Sequence, residues 1–172
     1  NLNYLKSISK YWITKYDWKK FENKINSFKN YKTKVEDINL HFIFEKSKNP
    51  NSRPLLLLHG WPGSISEFLN IIPRLAHPEK YGGKIEDGFD VIVPSLPGFG
   101  FSSQIKKALG PRKIGKMLNK FMVKNLGYKN YFVQGGDWGA TIAGWIGLDS
   151  SKNCKGIHIN CCLLYTSDAA DD

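Results

Sequence analysis

The sequence predicts an α/β protein built on a right-handed, mostly parallel, doubly wound sheet with an antiparallel edge at its start. Three observations carry that expectation. Short apolar runs, "PLLLL", "FDVIVP" and "NYFVQG", are bounded by proline, glycine or asparagine, as strands buried on both faces are. Segments with helical periodicity separate these runs. Ahead of them, "INLHFIFE" alternates in the manner of an edge strand.

Taken in order, residues 4–30 are expected to be helical, with Trp18, Phe21, Ile25 and Phe28 at spacings of three and four forming a docking face between lysines. "INLHFIFE" places Ile38, Leu40, Phe42 and Phe44 on one side and reads as a half-exposed strand paired with Thr33–Val35. "PLLLL" is the first buried strand. Ser64 followed by Glu67 is a capping-box pattern, so a helix is expected from there to about Leu75. A glycine-bearing loop leads to "FDVIVP", and "SLPGFGFSS" is too rich in proline and glycine for a regular element. A helix from about Arg112 to Asn125 should end near Gly127. "NYFVQG" is followed by the helix "WGATIAGWIG", in which Gly139, Ala140, Ala143 and Gly144 form a small-residue face that can approach the sheet. "CKGIHIN" is expected as a fourth strand, and "CCLLYTSDAADD" shows no periodicity at all.

The 172 residues allow one domain at most; 41% are hydrophobic and 23% charged, which suits a globular chain. Lysine and arginine number 25 against 15 acids. The excess is greatest in the first fifty residues, but its lysines are scattered through amphipathic segments instead of clustering with arginine and exposed aromatics. No nucleic-acid partner is expected. Cys154, Cys161 and Cys162 lie near the end without ligand spacing, so neither a disulfide framework nor a metal site is expected.

The chemistry concentrates in two turns. In "VQGGDWGATIAG", strand, sharp glycine turn and helix have the outline of a nucleophile elbow, with Asp137 at the position that usually holds serine and Gly135, Gly136 and Gly139 around it. A plain helix N-cap is the alternative role for Asp137. "HGWPGS" follows the first buried strand, where the backbone N–H of Trp61 could converge with that of Trp138 on one oxygen. A carboxylate at the elbow has a chemical reason. A serine attacking an sp³ carbon would end as an ether that water does not readily cleave, whereas a carboxylate ends as an ester that activated water can hydrolyse. Substrates attacked at carbon centres other than acyl groups are therefore expected. His59 is read as shaping its loop; His41, His77 and His158 are read as surface or structural.

Together "YWITKYDWKKFENKINSFKNYKTKVEDINLHFIFEK", "LLLLHGWPGSISEFLNIIP", "VIVPSLPGFGFS" and "FVQGGDWGATIAGWI" resemble the epoxide hydrolases of the microsomal type, the insect juvenile hormone epoxide hydrolases among them. The resemblance implies an incomplete α/β-hydrolase fold: residues 1–50 as the family's N-terminal segment with edge strands, 51–160 as the N-terminal half of the hydrolase domain, and 161–172 as a non-native or disordered tail. It implies conversion of a lipophilic epoxide, juvenile hormone or a xenobiotic, to a vicinal diol without a cofactor. Asp137 would be the nucleophile, Trp61 and Trp138 the oxyanion-hole donors, and His59, Gly60 and Pro62 would hold the loop. The charge-relay histidine, its acid and the cap tyrosines would lie beyond Asn160, so this chain alone is expected not to turn over. A membrane anchor absent here would place the parent protein on the cytosolic face of the endoplasmic reticulum. A haloalkane dehalogenase with the same aspartate chemistry is the alternative enzyme. A binding module is the alternative of another kind, with Trp12, Trp18, Trp61, Trp138 and Trp145 lining an apolar pocket.

Overall fold

The computed structural model describes residues 1–161. Two helices, α1 (Leu2–Lys15) and α2 (Trp18–Asn26), precede the hairpin β1 (Asn30–Val35) and β2 (Ile38–Glu45). The chain then alternates: β3 (Arg53–Leu58), α3 (Ile72–Ala76), β4 (Phe89–Pro94), α4 (Pro111–Lys120), β5 (Tyr131–Gly135), α5 (Trp138–Asp149) and β6 (Cys154–Ile159). One six-stranded sheet runs in the order β1-β2-β4-β3-β5-β6. β1 and β2 join it antiparallel, and β4, β3, β5 and β6 are mutually parallel. The expected architecture is observed.

Both faces of the sheet are covered. On one, Leu40, Leu56, Leu58, Ile92 and Val133 pack under Leu118 and Phe121 of the α4 segment and Ile142 and Ile146 of α5. On the other, Ile43, Leu57, Val91 and Val93 meet Ile65, Phe68, Leu69 and Ile72. Phe21, Ile25 and Phe28 dock against this second cluster, as their spacing predicts, while Trp18 stays 58% exposed.

Several local expectations are corrected. The single helix over 4–30 is two, because the Asp17 side chain accepts from the N–H groups of Lys19 and Lys20 and starts a new helix there. β2 is not half-exposed: Ile43 and His41 are as buried as Leu40 and Phe42, since β4 flanks it and helices cover both faces. The capping box at Ser64 and Glu67 forms, but it opens only a 3₁₀ turn over Ile65–Phe68. Pro73 lacks an N–H and would clash with the preceding turn, so the helix restarts as α3 with the proline in its first turn. α4 passes into a wider turn over Phe121–Asn125 before Gly127 at φ 80°. Of the small residues on α5, Gly139, Ala140 and Ala143 are buried, but Gly144 faces open space. Apart from Cys161, the expected tail lies outside the described residues. Cys154 and Cys161 are free thiols.

His41 is structural and deeply placed. Its Nε2–H donates to Asn30 Oδ1 and its Nδ1 accepts from Ser95 Oγ, each at 2.9 Å. Burial, helped by the nearby Lys32 charge, pushes its pKa down to about 4. The unfolded chain therefore takes up this proton near pH 6.5 while the folded chain resists it until about 4. Stability from His41 is complete above 6.5 and drains away as pH falls toward 4, by on the order of 2–3 kcal/mol. Urea unfolding at pH 7 and pH 4.5 should show that loss. The His41→Leu chain should show a smaller loss between the same two pH values.

Candidate active site

The site forms where the C-terminal ends of β3 and β5 lie side by side, with Leu58 paired to Gly135. The turn after each strand is thereby brought against the other. Asp137 stands at the head of α5 with φ 49° and ψ −125°, a positive φ in a residue other than glycine, which costs on the order of 1–3 kcal/mol. Its side chain makes no capping bond to α5, so the N-cap alternative fails. The carboxylate is exposed to solvent.

Close backbone packing makes this turn possible. A Cβ on Gly135 would lie 2.1 Å from Gly139 O, and one on Gly139 would lie 2.1 Å from Leu58 O. Neither position has room for alanine. A Cβ on Gly60 would lie 2.5 Å from both Cβ and Oδ1 of Asp137, so a glycine there lets the loop after β3 reach the carboxylate. At Gly136 a Cβ would come within 3.0 Å of Asn160 Oδ1.

The Trp61 N–H donates to Asp137 Oδ1 at 2.7 Å. This bond, with a lesser pull from the Trp138 N–H, holds the Asp137 carboxyl below the usual carboxylate range. The carboxylate is ionised at neutral pH. Pro62 follows Trp61 across a cis bond.

His59 is fully buried. Its Nε2 accepts from Leu96 N–H at 3.0 Å, and its Nδ1 lies 2.9 Å from Gly60 O. Because Nε2 is an acceptor, the proton sits on Nδ1 and is donated to the Gly60 carbonyl. Burial lowers the pKa of the ring. It is a neutral clamp between two loops, and its edge meets Phe99.

The structure thus brings together Asp137, Trp61, Trp138, His59, Gly60, Pro62, Gly135, Gly136 and Gly139. It does not gather the five tryptophans into a pocket. Trp12 and Trp18 pair with each other at 6.2 Å in the helical segment, Trp145 stacks under Arg112, and Trp61 and Trp138 are exposed beside Asp137. His77 bonds Glu45 and His158 is exposed on β6, in line with the roles expected of them. Sequence reasoning missed Leu96, whose N–H orients His59, and Asn160, whose N–H donates to Gly135 O and whose side chain accepts from Gln134. Nothing in the sequence near either residue marks it, since each acts on a partner far along the chain.

Comparison with known proteins agrees with this geometry. The model described as "Epoxide hydrolase N terminus" matches residues 1–68, and the "alpha/beta hydrolase fold" model matches residues 53–171. Among curated relatives, Epoxide hydrolase 1 of Oryctolagus cuniculus is 41% identical over 169 residues, covering 95% of this chain and 37% of the relative. Juvenile hormone epoxide hydrolase 2 of Ctenocephalides felis is 37% identical, covering 96% of this chain and 36% of the relative. The chain thus spans little more than a third of the length of these relatives. Among solved structures, the juvenile hormone epoxide hydrolase of Bombyx mori superposes with a TM-score of 0.83 at 37% identity, over 94% of this chain and 42% of that one. The Aspergillus niger epoxide hydrolase gives 0.82 at 32% identity, over the same shares.

Proposed function

The chain belongs to the alpha/beta hydrolase fold family, and on that premise we propose that it carries the nucleophile of an epoxide hydrolase acting on lipophilic epoxides, juvenile hormone or xenobiotics. The observation that carries the reading is an aspartate at the elbow whose Oδ1 is held by the Trp61 N–H at 2.7 Å. The match of residues 1–68 to an epoxide hydrolase N-terminus and the names of the relatives support the same reading.

The chemistry follows from which oxygen is held. With Oδ1 engaged by Trp61, Oδ2 attacks a ring carbon: the Oδ2–C bond forms, the ring C–O bond breaks, and the ring oxygen leaves with the electron pair and takes up a proton from solvent. Water, giving up a proton to solvent, then attacks the ester carbonyl carbon. The negative charge that develops falls on Oδ1, which the Trp61 N–H already holds, so that donor does not have to move at that moment. Collapse releases the diol and restores the carboxylate. Depression of the Asp137 pKa keeps it ionised for the first step without a base.

Among the described residues, no histidine hydrogen-bonds to Asp137, and His59 and His41 are committed at both ring nitrogens. The alkyl-enzyme ester is therefore expected to persist. The test is to incubate the chain with a terminal epoxide bearing a long alkyl group and map the product by peptide mass spectrometry. An adduct on the peptide carrying Asp137 is expected. No adduct there, together with halide release from a haloalkane, would replace this reading with the dehalogenase one. Placement on the cytosolic face of the endoplasmic reticulum is part of the same proposal; among the described residues, no helix is long and apolar enough to cross a membrane.

A further inference from the structure

We propose that His59 is a positioning residue that strengthens the Trp61 N–H as an oxyanion donor, by donating its Nδ1–H to the carbonyl of the Gly60–Trp61 peptide group. Gly60 C=O and Trp61 N–H are the two ends of one planar amide. His59 Nδ1 lies 2.9 Å from the oxygen end, and Asp137 Oδ1 lies 2.7 Å from the nitrogen end. A donor on the carbonyl draws electron density toward oxygen and leaves the N–H more positive, so the two hydrogen bonds reinforce each other through the amide. The ring cannot exchange this role with water, because it is fully buried and neutral, and Leu96 N–H at Nε2 fixes the proton on Nδ1. The short link from ring to carboxylate runs through one peptide.

This arrangement has a specific consequence for the reaction proposed above, on which its catalytic meaning rests. A stronger donor at Oδ1 slightly weakens Asp137 as a nucleophile in the first step, where negative charge leaves the carboxylate. It favours the second step, where full negative charge appears on Oδ1. His59 therefore biases the site toward breaking down the ester.

Two substitutions separate polarisation from simple anchoring. His59→Asn puts an amide N–H near the place of Nδ1 and keeps the donor to Gly60 O, but loses the acceptor for Leu96. His59→Gln puts an amide oxygen near the place of Nε2 and keeps that acceptor, but loses the donor. The Asp137 carboxyl is titrated by carbon NMR in the chain and in both variants, and the Trp61 amide proton shift is read in the same samples. His59→Gln is expected to raise the Asp137 midpoint by roughly half a pH unit and to move the Trp61 amide upfield. His59→Asn is expected to leave both nearer to their original values. An equal change in both variants, or a larger one in His59→Asn, would mean that the ring only anchors the loop to Leu96, and the proposal fails. Should either variant not fold, the nitrogen spectrum of the unsubstituted chain decides: a neutral ring protonated at Nδ1 supports the proposal, and one protonated at Nε2 overturns it. None of these readouts needs substrate. Failure to find an epoxide adduct would therefore overturn the function proposed above while leaving this inference standing.

Discussion

Asp137→Asn should abolish adduct formation with a lipophilic epoxide while leaving the fold in place. The amide has no charged oxygen to attack a ring carbon, and loss of an essential nucleophile costs on the order of a thousandfold or more in rate. The local structure should survive the change. Asparagine is among the residues that best tolerate positive φ, and its Oδ1 can still accept the Trp61 N–H now bonded at 2.7 Å. What it loses is charge assistance in that bond, about 1 kcal/mol. Because the folded Asp137 pKa lies below its ordinary value of 3.8, its stabilising contribution is present above that pH and is lost as pH falls through the folded value. The variant should lack this acid-side loss. Peptide mapping reads the first effect, and urea unfolding from pH 5 downward reads the second. An adduct that still forms at the same rate would mean that another residue is the nucleophile.

Gly139→Ala should be strongly destabilising for a single added methyl. The added Cβ would lie 2.1 Å from Leu58 O, 2.7 Å from Leu58 C and 2.9 Å from His59 O, all of them backbone atoms in or just after the central strand β3. No flexible side chain can yield, so α5 must retreat from the sheet. Overpacking of this kind costs about 1–3 kcal/mol, and a rigid backbone contact belongs at the upper end. For a domain of this size that is a fall in Tm of roughly 6–12 °C. Movement of the His59 carbonyl would also shift the Gly60–Trp61 peptide and loosen the bond to Asp137. Gly144→Ala on the same helix is the control, because nothing lies within 4 Å of its added Cβ. Helix propensity should make that change neutral or stabilising by up to about 1 kcal/mol. Thermal unfolding of the pair separates close approach from a general intolerance of alanine in α5. Equal Tm values would refute the packing argument.

Much of the molecule was legible in the sequence, and the reasons are local. β3, β4 and β5 announce themselves as apolar runs between breakers, and the sharp turn at Asp137 needs glycines next to it that can be read off directly. "HGWPGS" follows a buried strand where the α/β-hydrolase outline puts an oxyanion loop, which led to the expectation of Trp61 beside Asp137; the pairing of β3 with β5 brings the two turns together. Other features were misread although their signals were present. Asp17 and Pro73 are local breakers that periodicity obscured, since the apolar spacing continues across both.

What the sequence by itself determined is therefore the element order, the buried strands and the two turns that carry the chemistry, all of which follow from short-range periodicity and glycine stereochemistry. The tertiary structure alone decided that β2 is buried on both faces, that His41 is locked neutral between Asn30 and Ser95, and that Leu96 sets the tautomer of His59. Each of these depends on the strand order β2-β4-β3-β5, which brings the loop after β4 between the segments carrying the two histidines. A histidine's protonation state is set by burial and by the donors and acceptors that face its ring, and those partners are neighbours in space and not along the chain.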